Sequence, residues 1–290
     1  MEAAPQDDDL LRPPPGTRLD LQADARNLGL DLNARQITEW RRIGLLGAPQ
    51  RRKSAQHGQD LAEFSAEQRA LFRAVVRNRV RGVSNGTLAN LPVFAWLHYG
   101  DDWARTSQVR LAMRTAVGKD LRRSERAAAS AARTLLDMID VNNASVHARA
   151  AFKREVAEEV RGGRIDPARL RALVTKVFQP GDVVIRRGPR DATLDVDVIT
   201  MSLVARMNAA RKLDKITDAQ FEEARMRHLA SWDIYRRGAE QRQQEAGPQL
   251  SHLFEDISPN SQVPNAVGTL LLLLGLFLAE QPSDDQGRAR

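Results

Sequence analysis

The stretch Leu32-Asn33-Ala34-Arg35-Gln36-Ile37-Thr38-Glu39-Trp40-Arg41-Arg42-Ile43-Gly44-Leu45-Leu46, with Pro49, Arg51 and Arg52 after it, decides how this 290-residue chain is read. Asn33 is a good helix N-cap, because its short side-chain oxygen accepts from an otherwise orphaned amide of the first turn. Ile37, Trp40 and Ile43 recur at i, i+3 and i+6 as one inward face, and Gly44 supplies the stop. The outer face carries Arg35, Gln36, Thr38 and Glu39, which a helix lying in a major groove presents to base edges. Arg41, Arg42, Arg51, Arg52 and Lys53 are placed to pair with phosphates along the groove edges. From Asn33 to Lys53 six basic residues face one acid, Glu39, so +5 of the chain's +7 net charge sits in this stretch. Plainer readings stand beside these. Asn33 is a cap before it is a phosphate donor, Trp40 belongs in the core rather than on a base, and Arg41 and Arg42 also suit a solvated helix face.

Outward from this helix the pattern continues. Upstream, Leu19, Leu21, Ala25 and Leu28 fall near one face of a short helix that Gly29 closes. Two short helices about four residues apart suit a helix-turn-helix. Downstream, Leu45 to Phe64 lacks helical periodicity and contains Gly47, Pro49 and Gly58, so it reads as a loop or a two-stranded wing. Ser65 caps a further helix with the stripe Leu71, Phe72, Val75, Val76 and Val80, which Gly82 ends. A short helix near Asn85 to Leu91 precedes Pro92. Phe94, Trp96, Tyr99 and Trp103 then cluster around Gly100-Asp101-Asp102. They read as a packed junction between domains, or equally as an ordinary core helix and its cap.

The Leu32 to Leu46 pattern, followed by Pro49, Arg51 and Arg52, has a small capping residue, an Arg, a β-branched residue, aromatics and Gly-Leu-Leu in order, and resembles the recognition helix and wing entry of MerR-type regulators. Glu63-Phe64-Ser65-Ala66-Glu67-Gln68 and Gly82-Val83-Ser84 fall where that family ends its wing and leaves its next helix. The likeness covers about Leu19 to Leu91. From Ala89-Asn90-Leu91-Pro92 to Gln108-Val109-Arg110 the chain also looks like actinobacterial regulators with the same front end. The resemblance implies a winged helix-turn-helix and a dimer that binds double-stranded DNA. The chain departs from it at Thr38 and Glu39, where the family has Arg and Tyr, and at His57-Gly58-Gln59-Asp60, where it has Gly-Tyr-Arg. Glu39 repels phosphate unless it accepts from a cytosine amino group.

Beyond residue 107 the chain reads as helical to Phe178, with breaks near Gly118-Lys119, Asn142-Asn143 and Gly162-Gly163 and a fresh helix at Asp166-Pro167. Gln179 to Asp191 is expected to be a loop or short hairpin. Helices resume at Leu194 to Leu213, Thr217 to Gln244 and Val267 to Glu280. The fold class expected is therefore mainly α: an N-terminal winged helix-turn-helix with a small β wing, then an all-α C-terminal domain. Residues 1–16, acidic and then Pro-rich, are expected to be a disordered arm. The DNA-binding domain spans 17–91, the aromatic junction 92–106, the helical domain 107–280, and a polar disordered tail 281–290.

Composition bounds the partners. A net charge of +7 and a pI near 10.3 favour a polyanion. The absence of cysteine excludes thiolate metal sites and cysteine nucleophiles and suits a reducing cytoplasm. The acidic start argues against a signal peptide. The apolar run from Ala266 to Ala279, 14 residues, falls short of the roughly 20 a spanning helix needs, so a buried core or dimer helix is expected. The five histidines (His57, His98, His147, His228 and His252) show no metal-ligand spacing, and no Gly-rich phosphate loop or catalytic triad is identifiable. Phe178 to Ile185 resembles a strand-turn of cyclic-nucleotide-binding domains, but helices follow where further strands are required. The expectation is a cytoplasmic homodimeric transcription regulator that is not an enzyme, needs no cofactor and contacts no membrane. An unidentified small-molecule effector fits the helical domain, and so does none. Two alternatives stay open: an excisionase-like architectural DNA-binding factor, and a protein-interaction module derived from a helix-turn-helix.

Overall fold

The computed structural model describes residues 12–53, 60–79, 83–118, 125–137, 144–162, 166–177, 196–246 and 259–280. Among these the fold is mainly α, with one two-stranded antiparallel hairpin. The chain divides into two compact units: residues up to 116 together with 256–267, and residues 117–255 together with those from 268 on.

The first unit begins with α1 (Arg18–Asn27) and α2 (Ala34–Arg42). Both close in the same way. Gly29 and Gly44 each take φ +81°. The amide after each glycine reaches back to the last turn, Leu30 N–H to Ala25 O at 2.9 Å and Leu45 N–H to Trp40 O at 2.9 Å. That is the hydrogen-bond pattern of a glycine-closed helix end. Leu21 and Ala25 are buried, but Leu19 is 71% exposed. Two residues before Leu21, it points to the opposite side of a 3.6-residue turn, which corrects its placement on the apolar face.

Helix α3 (Ala66–Asn78) packs on α1, and Arg69 grips Asp24 with two bonds of 2.6 and 3.0 Å. Both side chains are largely buried, so each depends on the other for its charge partner. Strands β1 (Gln50–Lys53) and β2 (Asp60–Glu63) pair from Gln50 opposite Glu63 to Lys53 opposite Asp60. Gly16 extends this ladder by bonding Phe64 in both directions, at 3.0 and 2.7 Å. The arm expected to be disordered through residue 16 is thus fixed from residue 12. Pro13 is buried, and Arg12 pairs with Glu67 at 3.2 Å and lies over the Trp103 ring. Residues 1–11 lie outside the described residues.

Helices α4 (Asn85–Leu88), α5 (Asn90–Tyr99) and α6 (Thr106–Val117) follow. Every residue from Leu91 to Leu97 is buried, as expected of a helix apolar on all sides. Trp96 is fully buried and donates its Nε1 proton to Asp101 Oδ1 at 2.9 Å. The aromatic segment 92–106 therefore belongs inside the first unit, which continues to residue 116 rather than ending near 91. A 3-10 helix, Pro259–Asn265, packs on α5, and Val267 N–H bonds Asn90 Oδ1 at 3.0 Å.

The second unit contains α7 (Glu125–Asp137), α8 (Val146–Gly162), α9 (Pro167–Val177), α10 (Val196–Lys212), α11 (Asp218–Ala246) and most of α12 (Ala266–Glu280). Phe152, Val156, Leu170, Val174 and Leu203 form the centre of its core. Asp166 caps α9 by accepting from Ala168 N–H at 2.9 Å, with Pro167 opening the helix. The expected loop at Gln179 to Asp191 and the tail 281–290 lie outside the described residues.

Leu270, Leu271 and Leu274 of α12 are buried, and Gly275 abuts α10 so closely that a β-carbon there would lie 2.0 Å from Ala205 O. Arg206, pushed below its ordinary pKa by burial, donates from Nε to Gly268 O at 3.0 Å. The adjoining 3-10 turn lengthens the helical run. Gln262–Glu280, 19 residues, is long and apolar enough by length and composition to cross a membrane, and 39% of its apolar 18-residue window is buried within the protein. The expectation that the apolar run is too short to do so is corrected on length.

Candidate nucleic-acid interface

Helix α2 is fixed at both ends and on its inner face. Ile37, Trp40 and Ile43 are 1%, 6% and 7% exposed, and the Trp40 ring packs on Phe72 with centroids 5.6 Å apart. At its exit, Gly44 meets α6 with no room for a side chain; a β-carbon would lie 2.3 Å from Ala112 N. Thr115 Oγ1 donates to Ile43 O at 2.8 Å. Gln68, buried, accepts from Gly47 N–H at 2.6 Å and donates from Nε2 to Gln108 Oε1 at 2.8 Å and to Trp103 O. At the entrance, Gln22 Nε2 donates to Leu32 O at 2.9 Å. The segment Leu45-Leu46, buried throughout, then leads towards the hairpin. The Gly-Leu-Leu signature thus has a packing cause: glycine for the left-handed turn and close approach, leucines for the core.

The outer face differs from its sequence reading in how its side chains are engaged. Asn33 and Gln36 bond reciprocally, Asn33 N–H to Gln36 Oε1 at 2.8 Å and Gln36 N–H to Asn33 Oδ1 at 2.9 Å. Asn33 therefore serves as a cap, and Gln36 keeps its amide Nε2 as a donor. Thr38 is exposed and donates to Ala34 O at 3.0 Å, which leaves its oxygen to accept. Arg42 clasps Glu39 with two bonds of 2.7 and 2.5 Å, and this pairing raises the Arg42 pKa. Arg41 is half-buried, with its Nε shielded from solvent and unbonded. Arg35 is exposed and forms no hydrogen bond or ion pair among the described residues.

Arg51, Arg52 and Lys53 lie on β1 opposite Ala62, Leu61 and Asp60; their side chains lie outside the described residues, as do residues 57–59. The structure thus leaves Arg35, Gln36 and Thr38 exposed on the solvent side of α2. It removes Asn33, Glu39 and Arg42 from the set of uncommitted side chains. The Glu39–Arg42 pair was the feature the sequence reading missed, although its i, i+3 spacing is one at which helical side chains meet. Among the described residues no group of His, Asp or Glu is arranged to hold a metal ion. Compared with protein-family models, curated proteins and solved structures, the chain matches none.

Proposed function

We propose that this chain belongs to the winged helix-turn-helix class of DNA-binding proteins, with α1 and α2 as the helix-turn-helix and β1–β2 as the wing. More particularly, we read it as a MerR-like, homodimeric transcription regulator acting in the cytoplasm. In this reading α2 lies in the major groove of double-stranded DNA, Arg35 donates to a guanine edge, Gln36 and Thr38 add polar contacts, and Arg51, Arg52 and Lys53 follow phosphates. One observation carries it: α2 is held by three buried side chains and two fixed ends while its first turn offers solvent an exposed Arg35 with no ion pair among the described residues. Such a helix reaches a base without first breaking an ion pair or ordering itself.

The test is an anisotropy titration of labelled genomic fragments in excess unlabelled random duplex. The expected result is competitor-resistant binding by the wild type, weakened by about 1–3 kcal/mol in Arg35→Ala. Equal loss on random DNA would assign Arg35 to phosphate alone, and no binding at tens of micromolar would defeat the reading. A second reading, a protein-interaction module, is favoured by the Glu39–Arg42 pair, which lowers the positive charge offered to a polyanion. The same titration separates the two.

A further inference from the structure

Helix α11 is 29 residues long, yet its buried residues, Phe221, Ala224 and His228, all lie in its first eleven positions. From Leu229 on, none of its described side chains is buried. On the other side Ala219, Glu223, Met226, Ala230, Ile234, Arg237 and Gln241 are all exposed. At 100° per residue these seven fall within a stripe about 80° wide. Their spacing reads the same in both directions from Ala230, and the two inner pairs of positions are matched, one apolar and one opposite in charge. Met226 and Ile234, 54% and 61% exposed, stand four residues either side of it, and Glu223 and Arg237 stand seven either side.

We propose that α11 pairs antiparallel with α11 of a second copy of this chain, about a two-fold axis at Ala230. The pairing rests on the homodimer reading above and names its surface. A two-fold contact must be self-complementary, and this one is. Met226 meets the partner's Ile234 and Glu223 meets the partner's Arg237, while the small Ala230 permits close approach at the axis. Parallel pairing sets Glu223 against the partner's Glu223 and Arg237 against the partner's Arg237, and like charges disfavour it. Within one chain Glu223 already pairs with Arg227 at 2.9 Å and Arg237 with Asp233 at 2.6 Å, and Arg227 is also held by Glu280 at 2.9 Å. Exposed pairs of this kind exchange partners at little cost.

The chain has no cysteine, so a single introduced thiol reports on the axis without interference. Full-length Ala230→Cys, mildly oxidised, should run as a covalent dimer on non-reducing electrophoresis. Ala219→Cys should not, because antiparallel pairing holds the two copies of position 219 about 33 Å apart along the helix. In sedimentation of the full chain, Glu223→Arg should weaken dimerisation by at least about tenfold, and Glu223→Arg with Arg237→Glu should restore it. The restoration separates a lost contact from a misfolded chain. Equal cross-linking at 219 and 230, or a double variant as weak as the single one, overturns the interface. A dimeric wild type with no cross-link through Ala230→Cys also overturns it and leaves the homodimer standing. A wild type of one 32.3 kDa chain at tens of micromolar overturns both.

Discussion

On α2, Glu39 holds Arg42 in a bidentate pair on the solvent side, so two side chains expected at a DNA surface neutralise each other. Replacing Glu39 with Gln keeps the shape and releases the guanidinium. Affinity for duplexes of any sequence should rise, and the slope of log K against log salt should steepen by up to about 0.9, one added phosphate contact. An unchanged slope would place Arg42 away from the phosphates. Gly44 is constrained twice, by φ +81° and by the α6 backbone against its α-carbon. Gly44→Ala should lower stability by about 2–4 kcal/mol in denaturant unfolding, through left-handed strain and overpacking together. An unshifted midpoint would contradict the close approach of α2 to α6.

At the scale of elements, the hairpin and α2 carry separable roles in the proposed interface. Replacing Arg51, Arg52 and Lys53 together with Gln should weaken binding to all sequences alike and flatten the salt slope by up to about 0.9 per lost contact. A slope equal to the wild type's would remove β1 from the interface. These elements were largely legible in the sequence because their signals are local: Asn33 and Ser65 as caps, Gly29 and Gly44 as stops, and Ile37, Trp40 and Ile43 as a face. What was not legible depends on distant partners. Gly16 meets Phe64 across 48 residues and Asn90 meets Val267 across 177, so neither the order of residues 12–16 nor the reach of the first unit follows from local pattern. The outer face of α2 was legible in residue type but not in commitment, since the capping box and the Glu39–Arg42 pair are choices of side-chain geometry.

For the whole molecule, acid sensitivity is predicted from His228 in the second unit. Burial, with Arg225 nearby, pushes it down to about 4 from 6.5. The unfolded chain takes up this proton near pH 6.5 and the folded chain only near 4. Stability therefore falls as pH drops through that window, by up to about 3 kcal/mol. Unfolding curves at pH 7, 5.5 and 4 should show the loss, and His228→Gln should flatten it; parallel wild-type and variant curves would contradict the burial. Whether α2 reads sequence in duplex DNA through Arg35 is measured by selection from a random duplex library by the full-length protein, followed by sequencing. Two inverted half-sites should be enriched, each with a guanine whose preference disappears in Arg35→Ala while the rest of the motif remains. A library that emerges unenriched, or a motif identical for wild type and Arg35→Ala, would contradict that reading.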